Sequence, residues 1–180
     1  MTEVDLLTRQ TENAYEWTNK LIVSVPFSKW DDTPHLVDTN ITWQVGHLIM
    51  SHYFHSVMVI VGHRKDVLEK IPLRQYDDLF TNGQPIDAKG KVEPAIILGQ
   101  LNFLQKRSLE ILKSMTIERL YTDLEPTHIP HPVAKTKYEA LDWNIKHTMY
   151  HCGQIGLLKR VIDVRYDFGL RRPANLGITL

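Results

Sequence analysis

Residues 136–163 read TKYEALDWNIKHTMYHCGQIGLLKRVID, and along them Leu141, Ile145, Thr148, Cys152, Ile155 and Ile162 fall on one stripe at helical steps. The same period recurs three times upstream. Leu7, Ala14 and Leu21 alternate with Gln10 and Trp17 in a helix over residues 3–25, closed by Pro26. Asp38, Thr39 and Asn40 are capping candidates for a second helix over 40–62, with Ile41, Val45, Leu48 and Val59 in its interior. The third, over 94–115, starts at Glu93-Pro94 and carries Ile97, Leu101, Leu104, Ser108, Ile111 and Met115. No segment alternates as a strand does.

Four amphipathic helices without strands predict an all-α four-helix bundle. The connection over 63–92 is long and punctuated by Pro72, Asn82-Gly83 and Pro85. It is expected to be a crossover loop, of the kind that often covers a site. The chain has 180 residues, so one domain spanning 1–180 is expected. After the fourth helix comes a segment bearing Arg165, Arg171 and Arg172.

Composition narrows the function. Lys+Arg and Asp+Glu are 21 each, and no basic recognition helix stands out, so nucleic acid is not expected as a partner. The single cysteine, Cys152, excludes an internal disulfide and cysteine-based zinc modules. The first residues lack the layout of a secretory signal. The longest aliphatic run, Val57–Val61, falls far short of the ~18 residues a membrane span needs. A cytoplasmic protein with no membrane partner is expected.

Nine histidines stand out. His147 and His151 lie four apart, about 400° around a helix, so both rings project from one face. Spacing alone leaves two readings open: solvated helix histidines, or a pair that binds one divalent ion. The pair borders the apolar stripe, and the small residues Cys152, Gly153 and Gly156 suggest close helix packing around it. A third ligand must come from another helix. His47, within Trp43-Gln44-Val45-Gly46-His47-Leu48, is preferred over His52 and His55. His128 and His131, in a proline-rich loop, read as solvated, and His35 and His63 show no partner. Three imidazoles plus water make a catalytic rather than a closed structural arrangement.

Thr42-Trp43-Gln44-Val45-Gly46-His47-Leu48 and His147-Thr148-Met149-Tyr150-His151-Cys152-Gly153-Gln154-Ile155 together resemble the DinB/YfiT-like superfamily of metal-dependent enzymes. The likeness spans most of residues 3–163. It implies a bundle in which His47, His147 and His151 hold nickel or zinc. Characterised relatives include S-transferases that use bacillithiol or mycothiol and a mycothiol-dependent isomerase; others are described as hydrolases. Many members carry Arg where this chain has Cys152, which reads here as a small core-facing thiol.

The expected function is metal-dependent chemistry on a small-molecule substrate, either S-transfer from a low-molecular-weight thiol cosubstrate or hydrolysis. Gln44, Asn144 and Gln154 share roughly the triad's face and are candidates to orient imidazole or substrate. The rival reading is a non-catalytic bundle that binds a metal or small ligand, or pairs as a homodimer.

Overall fold

The computed structural model describes residues 1–169. Helix α1 (Glu3–Val23) starts at a capping box: Asp5 N–H donates to Thr2 Oγ1 at 3.1 Å, and Thr2 N–H returns to Asp5 Oδ2 at 2.8 Å. Its inner face is Leu7, Ala14, Tyr15, Leu21 and Ile22. Helix α2 (Ile41–Tyr53) is capped by Asn40, whose Oδ1 accepts Trp43 N–H at 2.8 Å. It continues through a π-helical turn at Phe54–Met58 to Val61, and Gly62 ends it with φ 76°.

The crossover differs from the loop that its prolines suggest. It holds a helical turn at Lys65–Leu68, helix α3 (Leu73–Phe80) and a 3-10 turn at Pro85–Ala88. Two aromatic side chains explain the order: Tyr76 and Phe80 are buried, giving this connection an apolar face of its own. Helix α4 (Pro94–Lys113) begins on proline, whose missing N–H costs nothing at that position. Helix α5 (Lys137–Ile162) opens with a second capping box, Thr136 with Glu139.

Helix α1 packs on α5 and α4, and α2 packs on α4 and α5. This closes a four-membered ring around a core that includes Trp30, Ile22, Leu48, Ile49, Ile60, Leu101 and Leu104. Each large side chain so buried contributes roughly 1.5–3 kcal/mol. The architecture is an all-helical four-helix bundle with one long crossover. Among the described residues no strand occurs, and no helix is long and apolar enough to cross a membrane.

One buried cation locks α5 to the end of α1. Lys159 is 3% exposed; its ammonium donates to Asp163 at 2.6 Å and to the Ser24 carbonyl at 3.0 Å. Asp163 also takes Lys29 at 2.9 Å, and the Lys159 and Lys29 hydrogen bonds hold its carboxyl well below the usual range.

Candidate metal centre

Helix α2 brings His47, and α5 brings His147 and His151, to one point where their candidate ligand atoms lie within 4.8 Å of one another. The ring centroids are 4.6 Å apart for His147 and His151, 4.7 Å for His47 and His151, and 5.4 Å for His47 and His147. His151 is buried and the other two half-buried. His52 and His55, on the same helix as His47, are not in this cluster.

What each ring nitrogen touches fixes its chemistry. His47 Nδ1 lies 2.9 Å from the Phe80 carbonyl. A carbonyl only accepts, so this nitrogen carries the proton and Nε2 keeps its lone pair. His151 Nδ1 likewise donates to Gln44 Oε1 at 2.7 Å. The amide of Gln44 is set by its other end, which donates to Thr39 Oγ1 at 3.0 Å and to Gln154 Oε1 at 3.1 Å. His147 Nδ1 sits 2.6 Å from Ser51 Oγ, an atom able to donate or accept. His151 Nε2 faces His147 Nε2 at 3.1 Å.

Two imidazole nitrogens that close are satisfied either by an N–H···N hydrogen bond, with His147 Nε2 as donor, or by a metal ion between them. In a tetrahedral zinc shell, ligand nitrogens about 2.1 Å from the ion stand about 3.4 Å apart. The α5 pair matches that spacing, while the full set is somewhat wider. Burial first, then the neighbouring His47, pushes His147 down to about 4; burial, then His47 and His147, pushes His151 down to about 3. Burial also lowers His47 against the opposing pull of the Phe80 carbonyl. All three are therefore neutral at pH 7, the state a metal requires. The cluster could hold a divalent ion, and an all-imidazole donor set suits zinc, nickel, copper or iron.

A cavity of about 650 Å³ opens on the three histidines. Trp43, stacked on His47 at 4.9 Å and 11°, forms one wall, and Tyr150 and Leu157 form another. Among the described residues no lysine or arginine lines it, and Asp38 is its one carboxylate.

Other expectations fare variously. Gln44 and Gln154 stand next to His151 in one chain of hydrogen bonds. Asn144 turns elsewhere: its Oδ1 is 3.1 Å from His52 Nδ1 and its Nδ2 donates to Tyr15 Oη at 2.9 Å, deep between α1, α2 and α5. His131 is not a solvated loop residue. Its Nδ1 accepts Ala134 N–H at 2.9 Å, so its Nε2–H donates to His55 Nδ1 at 2.8 Å, and its ring stacks on Phe54. His63 meets Tyr53 Oη at 2.6 Å, while His128 is exposed. Gly153 is exposed, and a Cβ there would meet nothing within 4 Å, so it does not serve close helix packing. Arg171 and Arg172 lie outside the described residues.

Two orienting groups escaped the sequence reading. Ser51, four residues after His47, had a helical-face signal. The Phe80 carbonyl had none, since main chain delivered across a crossover leaves no side-chain signature.

A family profile described as the DinB superfamily matches residues 10–155. A crystal structure described as the conserved protein of a locus from Enterococcus faecalis superposes with a TM-score of 0.66. It shares 16% identity, and the match covers 90% of this chain and 98% of that one, a likeness that speaks for the fold alone. No curated protein is matched.

Proposed function

Because the chain belongs to the DinB superfamily, we propose that His47, His147 and His151 hold one divalent ion, nickel or zinc, in an enzyme acting on a small molecule. The observation that carries this is the pair of fixed tautomers. The Phe80 carbonyl and Gln44 Oε1 each accept an Nδ1–H hydrogen bond, leaving the Nε2 atoms of His47 and His151 unprotonated at the floor of a substrate-sized cavity. When bound there, the ion supplies Lewis acidity, lowering the pKa of a thiol or water and polarising a substrate carbonyl.

The chain's own residues do the rest. Gln44 and the Phe80 carbonyl hold two imidazoles in the ligating tautomer. Ser51 can turn its hydroxyl from donor to acceptor as His147 Nε2 exchanges a proton for the ion. Trp43 and Tyr150 offer apolar surface to a substrate body. Among the described residues no carboxylate is hydrogen-bonded to the triad, so hydrolysis would lack a protein general base. A coordinating thiol would be deprotonated outright, its proton passing to solvent, whereas bound water would be only partly ionised near pH 7, which favours S-transfer as the first reaction to assay.

The test is elemental analysis of untagged protein beside His47→Ala, followed by thiol-consumption assays with electrophiles. About one nickel or zinc per chain, lost in the variant, supports the reading. Absence of metal from both proteins, with reconstitution failing, overturns it in favour of a non-catalytic binding bundle.

A further inference from the structure

A second recess, of about 820 Å³, opens on a different face of α5, and only Leu157 lines both it and the metal pocket. Its walls are aromatic. Trp17 faces Phe168 at 5.7 Å, and Tyr166 meets Phe168 edge-on at 4.9 Å. Trp17 and Phe168 remain 41% and 45% exposed, although a closed wall would bury them. Arg160 and Arg165 line the same recess. Neither guanidinium makes an ion pair or hydrogen bond among the described residues.

Along the floor runs a stretch of α5 without side chains. Gly153 and Gly156 each cost a helix interior roughly 0.5–1 kcal/mol relative to alanine. A Cβ on Gly153 would meet nothing, and one on Gly156 would meet only Leu21 Cδ1, at an ordinary 3.6 Å. Helix packing therefore does not account for either glycine. What their lack of side chains does provide is depth beneath the aromatic walls. Apolar walls bordered by two unpaired guanidinia match an apolar body ending in an anion.

We propose that this recess is a binding site, separate from the metal pocket, for a small amphipathic organic anion. The aromatic or aliphatic body lies over Gly153 against the touching rings of Trp17 and Phe168, and the carboxylate or sulfonate meets Arg160 and Arg165. The site stands independently of whether the three histidines hold a metal.

Fluorescence titration of the full chain with 8-anilinonaphthalene-1-sulfonate, beside the neutral N-phenyl-1-naphthylamine, tests it. One sulfonate per chain is expected, bound about tenfold more tightly than the neutral probe and weakening as salt rises. The Arg160→Gln, Arg165→Gln double variant should lose that tenfold preference and leave the neutral probe unchanged. Gly153→Leu fills the floor with a better helix former and should abolish both. His47→Ala should bind both as the parent does. Sulfonate binding indifferent to the arginine substitutions, or lost in His47→Ala but kept in Gly153→Leu, overturns the proposal. So does a full chain that binds neither probe.

Discussion

The ring of Phe80 fills the space that a side chain at position 46 would need: a Cβ on Gly46 would lie 2.3 Å from Phe80 Cγ. That contact seats the end of α3 against α2, and only from there does the Phe80 carbonyl reach His47 Nδ1. Gly46→Ala must push the ring away and carry the carbonyl with it. The expected outcome is a loss of about 1–3 kcal/mol of stability from overpacking, together with weakened metal binding in a protein that retains all three histidines. Urea midpoints and chelator competition measure the two effects. An alanine variant with parental metal affinity would show that the carbonyl is not needed.

Gln44 predicts a graded series. Gln44→Leu removes the acceptor for His151 Nδ1–H and should cost about 10–100-fold in metal affinity. Gln44→Glu keeps an acceptor at that place and should retain most of it. Competition against a chromophoric chelator at pH 7 reads both variants. Equal losses would mean that Gln44 acts by packing rather than by orienting the ring.

His55 and His131 form a hydrogen-bonded pair beside the triad, with His55 edge-on to His147 at 5.5 Å. His131→Ala should leave metal content at its parental value and cost about 1 kcal/mol of stability through the lost hydrogen bond. Metal loss in that variant would enlarge the ligand set.

Acid should destabilise the metal-free protein earlier than its carboxylates alone would. Burial pushes His52 down from 6.5 to about 3. A pKa depressed in the folded state means that the unfolded chain takes up the proton first. The stability is therefore complete above about pH 6.5 and is lost as pH falls from there toward 3. His52 alone accounts for a loss of about 2 kcal/mol by pH 5. His55, lowered to about 2 by burial and then by His131, adds a loss of the same sign. Urea melts at pH 7.5 and pH 5 on parent and His52→Gln test this; the variant should show a shallower dependence. An unchanged slope would place the acid sensitivity elsewhere.

The helices were legible because their buried faces keep a strict period, and Asn40 and Thr136 announce two of the starts. The crossover was not, because its order comes from Tyr76 and Phe80 sinking into the bundle, and two aromatics among polar residues have no period to read. At the site, the i,i+4 pair on α5 and the lone His47 carried the signal, and Gln44 followed from its position one turn before His47. Asn144 shares the helix but points toward Tyr15, a direction set by tertiary packing. His131 failed for a related reason: its partner, His55, lies 76 positions away in sequence.

The π-turn at Phe54–Met58 gives α2 one residue more than an α-helical path would use. Counting along an ideal helix from His47 therefore misplaces everything after Tyr53 by about 100°. That surplus residue has an evolutionary reading in units of chain length. A one-residue deletion between positions 54 and 58 would regularise the helix, swing Val59 away from the Glu125 N–H that its carbonyl now accepts at 2.8 Å, and pull His55 off His131. His47 and Ser51, upstream, would keep their places. Indels in this turn would thus leave the three-histidine cluster standing while re-registering the proline-rich segment behind it.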